Sequence, residues 1–131
     1  MPPLTRILLV DDEQDIRTVA QLSLTALGGF TVECCASGSE ALERIQAFQP
    51  DLVLLDVMMP GMDGPATLGR LRADSATAHI PVVFVTARVQ AQEVLAYRAI
   101  GALDVVAKPF DPMALAGILR GIWEKHGGRE P

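Results

Sequence analysis

The run LVLLDVMMPGMDG, residues 52–64, constrains this chain most: four consecutive apolar residues end on one carboxylate, Asp56, and pass straight into a Pro/Gly loop. An unbroken apolar run this short, closed by turn residues, reads as a strand buried on both faces. Such a strand needs helices above and below it, which is the situation of a parallel sheet. In open α/β sheets the chemistry gathers in the crevice at the carboxyl ends of the strands. Asp56 therefore stands where a functional side chain is expected.

The rest of the chain repeats the pattern. Residues 5–10 are a branched apolar run ended by Asp11 and Asp12, a first buried strand. Ile16, Ala20, Leu24 and Leu27 then recur on one helical face, with Asp12 or Glu13 at its amino end and Gly28-Gly29 to stop it. A second strand covers 30–36. Ser37 and Glu40 form an S-x-x-E capping box for a helix whose apolar positions are Ala41, Leu42, Ile45 and Phe48, ended by Pro50. The third strand is 51–55, and a third helix covers 66–72. A polar connection through Ala78 and His79 reaches Pro81, and the fourth strand, 82–85, ends on Thr86. A fourth helix spans 89–99 and closes at Gly101; a fifth strand, 103–106, leads to Lys108-Pro109. Asp111 is the expected N-cap of a last helix, with Pro112 at its first position, Leu115, Ile118, Leu119 and Ile122 facing inward, and fraying at 126–128. Five strands alternating with five helices predict a doubly wound α/β fold, the flavodoxin-like (βα)5 arrangement, with right-handed crossovers and the parallel strand order 2-1-3-4-5.

Composition agrees. The 131 residues suit a single domain, 1–131 with a core of about 5–125, and half are hydrophobic but only 5% aromatic, as in a core of Val, Ile, Leu and Ala. Sixteen acidic side chains against eleven basic ones give a net charge of -5, which argues against direct nucleic acid binding, since that requires a basic surface. No run reaches the ~18 apolar residues of a membrane span, so no membrane insertion is expected. The amino terminus lacks a signal-peptide pattern, so the expected location is cytoplasmic. Cys34 and Cys35 are adjacent, about 3.8 Å apart at Cα, too close for an ordinary disulfide. They read as reduced thiols on opposite faces of a strand.

Strand order 2-1-3-4-5 sets Asp11 and Asp12 beside Asp56, with Thr86 and Lys108 at the neighbouring strand ends. Three carboxylates in one crevice call for a cation, and oxygen-only ligands select a hard one such as Mg²⁺, with Mn²⁺ as the alternative. Lys108 and Thr86 offer donors for a tetrahedral anion while Asp56 attacks its phosphorus, giving an acyl phosphate. His79 and His126 share no metal-ligand spacing and read as surface residues. Met58, Met59 and Met62 read as loop packing.

LLVDDE, LLDVMMPGMDG, VFVTA and AKPF, in this order and spacing across nearly the whole chain, resemble the receiver domain of two-component response regulators, in its stand-alone, chemotaxis-type form. The alternative to a stand-alone protein is a piece of a longer regulator. The resemblance implies a phosphoprotein of phosphorelay signal transduction rather than an enzyme with an outside substrate. It implies Asp56 as phosphoacceptor, metal binding by Asp11, Asp12, Asp56 and the backbone carbonyl of Met58, phosphoryl contacts from Thr86 and Lys108, and a cis bond before Pro109. The implied partners are a histidine kinase or His-phosphotransfer protein as donor. A downstream protein or a homodimer would use the helix 4/strand 5/helix 5 face, where Val94, Leu95, Tyr97 and Ile100 suggest an apolar patch. Two departures matter. Val105 stands where many receivers carry Tyr or Phe, and Met58 and Arg88 are bulky at positions that flank the attacking water in the family. A small-molecule phosphatase is disfavoured because Met58 replaces that class's general acid, and a phosphorylation-independent interaction module because all five polar positions are intact.

Overall fold

The computed structural model describes residues 2–127 and joins five parallel strands in the order β2-β1-β3-β4-β5. These are β1 (Arg6–Val10), β2 (Thr31–Cys35), β3 (Leu52–Asp56), β4 (Val82–Thr86) and β5 (Asp104–Ala107). The crossovers are α1 (Gln14–Leu22), α2 (Gly38–Phe48), α3 (Gly64–Ala73) and α4 (Ala91–Ala99), and α5 (Leu115–Ile122) follows β5. The result is the expected single flavodoxin-like domain. Period-two alternation divides the strands between two cores: Ile7, Leu9, Leu52, Leu54, Val83 and Val85 face α1 and α5, while Leu8, Val10, Val53, Leu55, Val82 and Phe84 face α2 and α3. Cys34 and Cys35 fall on opposite sides of the sheet, both free, and burial pushes the Cys35 thiol up to about 12.

Register is held by polar staples at the ends of elements. The Asp51 carboxylate accepts hydrogen bonds from the Thr5 and Arg6 amides at 2.9 and 2.8 Å, locking the entrance of β3 to the start of β1. The Ser37 hydroxyl accepts from the Glu40 amide at 3.1 Å, and Glu40 reaches back to the Ala36 amide at 2.6 Å, so the capping box closes one residue early. Asp63 caps α3 through the Ala66 amide at 2.9 Å, with Pro65 in the first turn.

Several local expectations are corrected. α1 runs into a π-helical turn, Ser23–Leu27, in which the Gly28 amide reaches the Ser23 carbonyl five residues back. That wider turn rotates Leu27 off the buried row, leaving it 52% exposed. α5 begins at Leu115 rather than beside Asp111, whose carboxylate instead caps the preceding turn through the Met113 amide at 2.9 Å. Ile118 lies about 60° from the centre of the Leu115–Leu119–Ile122 stripe and is exposed. β5 is shifted one residue towards Lys108. His126 is not a surface residue: its ring nitrogen sits 3.2 Å from Asp104, which Arg98 also grips at 3.0 Å. These bonds, with the amide of Val105, hold the Asp104 carboxyl below its usual range against the opposing effect of burial. Of the fraying expected at 126–128, Gly128 lies outside the described residues.

Candidate functional site

Alternation also explains how the site assembles. Asp11, Asp56 and Lys108 extend the strand rows on the α1/α5 side, whereas Thr86 extends the Val82–Phe84 row on the other. The first three meet: Lys108 Nζ lies 3.1 Å from Asp11 Oδ2 and 3.4 Å from Asp56 Oδ2. Asp12 is exposed at the mouth, and Asp11, Asp12 and Asp56 each present an oxygen within 4.8 Å of the others. Thr86 is buried but not part of this network among the described residues; its hydroxyl accepts from the Arg88 amide at 3.1 Å. Lys108 is placed through its backbone, its amide donating to the Thr86 carbonyl at 2.9 Å, and the Lys108–Pro109 bond is cis.

Asp56 is held in an unfavourable state. Its side chain is buried; Oδ1 takes only a long 3.4 Å bond from the Met58 amide, and Oδ2 has no hydrogen-bond partner. Burial first and the Asp11 charge second push its pKa up to about 6, with Lys108 pulling the other way. For Lys108, burial opposes the charge, but the bond to Asp11 and the charges of Asp11, Asp56 and Glu13 outweigh it and hold the ammonium above its ordinary value. An excess of carboxylate thus remains after the lysine is counted. An orphaned, buried oxygen within an all-oxygen donor set fits a hard divalent cation.

The loop after β3 keeps this end of the sheet compact. Gly61 has φ +73, a left-handed conformation that admits the turn after Pro60. Gly64 lies so near β3 that a Cβ there would come within 2.7 Å of the Asp56 carbonyl oxygen and 2.8 Å of the Val57 Cα. Met59 packs inward and Met62 is half-buried, but Met58 is 68% exposed, so packing explains the first two and not the third. Arg88 reaches Glu93 at 3.9 Å, and both Arg88 and Met58 are exposed.

Sequence reasoning gave Glu13 only as a helix end and Tyr97 only as part of an apolar patch, and it did not single out Arg17. Glu13 places a carboxylate 3.5 Å from Lys108 Nζ, and its amide donates to Asp11 Oδ1 at 2.8 Å. Arg17 donates to the Asp11 carbonyl at 2.8 Å; one helical turn beyond Glu13, it lies where periodicity would have put it under the acidic turn. Tyr97 crosses from α4 to meet Phe84 edge-on, ring centroids 5.2 Å apart at 78°. It packs with Val105 against the α2/α3-side core, so an aromatic ring reaches this region from the helix instead of from β5.

Comparison with known proteins is consistent over the same span. The family profile described as the response regulator receiver domain matches residues 7–120. The transcriptional regulatory protein CseB of Streptomyces coelicolor is 37% identical over 123 residues, 94% of this chain and 51% of that protein. The response regulator Rre1 of Synechocystis is 39% identical over 116 residues, 88% of this chain and 50% of that one. The chain thus spans about half the length of these curated relatives. Among solved structures, the chemotaxis response regulator CheY4 of Vibrio cholerae superposes with a TM-score of 0.83 at 30% identity, covering 91% of this chain and 98% of that one.

Proposed function

The chain belongs to the response regulator receiver domain family, and from that premise we propose that it is a phosphorylation-controlled signalling switch that accepts a phosphoryl group on Asp56. The observation that carries the reading is the buried Oδ2 of Asp56, which has no hydrogen-bond partner among the described residues, lies 3.4 Å from Lys108 Nζ and sits inside an acidic cluster. In the proposed reaction an Asp56 oxygen attacks the donor phosphorus in line. The new bond is O–P, the broken bond is P–N to the donor's imidazole, and the electron pair leaves with the nitrogen, which takes a proton from solvent. Asp11, Asp12, Asp56 and the Met58 carbonyl would hold Mg²⁺, or Mn²⁺; the ion supplies charge neutralisation on the phosphoryl oxygens when bound. Lys108 would move from Asp11 and Asp56 to a phosphoryl oxygen, and Thr86 would exchange the Arg88 amide for another.

The donor in this reading is a histidine kinase or His-phosphotransfer protein. The output is a changed α4/β5/α5 face, offered to a downstream protein or a second copy. Leu95 and Ile100 are exposed there, while Val94 and Tyr97 are half-buried, so the apolar patch divides between surface and anchor. The whole chain, 1–131, would act as one receiver in the cytoplasm, promoting only its own phosphorylation and dephosphorylation. No helix among the described residues is long and apolar enough to cross a membrane.

Incubation with Mg²⁺ and acetyl phosphate, followed by intact-mass measurement, tests the assignment. The wild type should gain one phosphoryl group and Asp56→Asn none. Equal labelling of the variant would move the acceptor elsewhere, and no labelling of the wild type would favour a phosphorylation-independent interaction module.

A further inference from the structure

Lys108 Nζ faces three carboxylates: Asp11 at 3.1 Å, Asp56 at 3.4 Å and Glu13 at 3.5 Å. Two belong to the acidic triad that fits a cation; Glu13 does not. Glu13 is nonetheless tied into the site from both ends. It is the N-cap residue of α1, yet among the described residues its side chain makes no capping bond to that helix and turns to Lys108 instead. Its amide donates to Asp11 Oδ1 at 2.8 Å while Lys108 Nζ donates to Asp11 Oδ2, so Glu13, Asp11 and Lys108 close a ring. The ammonium moves on a fixed base, because the Lys108 amide is bonded to the Thr86 carbonyl. Its side chain is 19% exposed and that of Glu13 61%, so the pair runs from the buried acids to the crevice mouth.

Resting on the phosphoacceptor reading above, we propose that Glu13 is a positioning residue: it holds the Lys108 ammonium when Asp11 and Asp56 are engaged, and competes for it with the incoming phosphoryl oxygen. Charge balance leads there. With a divalent cation held among Asp11, Asp12 and Asp56, Lys108 would face positive charge in place of two free carboxylates, and like charges at ion-pair distance repel. Glu13 is the remaining carboxylate within reach among the described residues. A retreat toward it keeps the ammonium paired and close to the acceptor instead of releasing it to solvent. The exposure of Glu13 keeps this pair weak, and a weak pair is what a transferable ammonium requires. Glu13 therefore favours cation binding and opposes anion binding, and its removal should move the two affinities in opposite directions.

Two titrations of the full chain test this: Mg²⁺ alone by calorimetry, and beryllofluoride, a tetrahedral analogue of a carboxylate-bound phosphoryl group, at saturating Mg²⁺ by fluorine magnetic resonance. Glu13→Gln should weaken Mg²⁺ and tighten beryllofluoride, each by about two- to fivefold, the range of an exposed ion pair, with unchanged circular dichroism. Glu13→Asp should follow Glu13→Gln, since it keeps the charge but is one bond, ~1.5 Å, too short to hold Nζ. In the Lys108→Ala background, Glu13→Gln should no longer tighten beryllofluoride. A Glu13→Asp variant that matches the wild type overturns the proposal, because charge at the mouth and not contact with Lys108 would then set both affinities. So does tightening that persists without Lys108, or a Glu13→Gln variant indistinguishable from a wild type that binds beryllofluoride. A wild type that binds no beryllofluoride and gains no phosphoryl group from acetyl phosphate overturns the phosphoacceptor reading itself, and this inference with it.

Discussion

α4 and α5 flank the same edge strand, β5, from opposite faces, and they are held very differently. α5 buries Leu115, Ala116, Leu119 and Ile122, and Trp123 continues the stripe; α4 buries no residue completely and touches the core through the half-buried Tyr97. Lys108 leaves β5 on the α5 side, whereas the segment that positions Arg88 leads into α4. One wall of the crevice is therefore fixed by packing, and the other is joined to a helix that little packing energy restrains. A site built this way holds Asp56 and Lys108 in place while leaving the Thr86 side freer to move, because displacing α4 exposes little apolar surface.

Truncation on the fixed side should have the largest effect. Leu119→Ala removes a fully buried side chain and should cost about 2–5 kcal/mol in urea unfolding; a cost near that of an α4 surface variant would break the contrast between the two helices.

The fixed side also bears the electrostatic cost of the site. Burial first and the Asp11 charge second push the Asp56 carboxyl up to about 6. Its folded-state pKa is raised, so the native state prefers the protonated form. In metal-free buffer, stability should then fall as pH rises from about 4 to about 6 and level off above. Asp56→Asn should exceed the wild type by up to about 3 kcal/mol near pH 7.5 and match it near pH 4. Thermal melts across this range in EDTA measure the difference; a gap independent of pH would contradict the burial argument.

On the other side, Tyr97→Ala removes the edge-on contact with Phe84 and should cost about 1–2 kcal/mol, with faster amide exchange confined to α4 and its flanking loops. Exchange that rises equally in α5 would mean the two helices are not independently held. Leu95→Ala, at a position 66% exposed, should change stability by less than about 0.5 kcal/mol.

Much of this was legible because the strands carry their own punctuation. Each buried run ends on or just before a polar residue, and the crossover rule with strand order 2-1-3-4-5 brings Asp11, Asp12, Asp56 and Lys108 together without any coordinate. Thr86 was placed at the correct strand end, but its engagement with the Arg88 amide depends on a rotamer that periodicity does not encode. Contacts between distant segments were also hidden. His126 reads as a polar residue near a fraying end until α5 is docked and Asp104 comes within reach. Val105 marks a missing ring, yet only the packing of α4 shows Tyr97 against Phe84. The π-helical turn at 23–27 has no pattern of its own, and so Leu27 reads as a core residue in line with Ile16, Ala20 and Leu24.

Gly64 gives the strand that carries Asp56 a different kind of protection. Because α3 starts in direct contact with the backbone of Asp56 and Val57, position 64 is a gauge block between helix and strand, and its dimension is that of a hydrogen atom. Gly69, on the same helix, has nothing within 4 Å of an added Cβ. Two glycines five residues apart thus have opposite freedom to vary. Drift at Gly69 leaves the strand untouched, whereas any side chain at Gly64 lifts the helix or bends the peptide that carries Asp56, making one methyl group a perturbation of the site by a residue outside it.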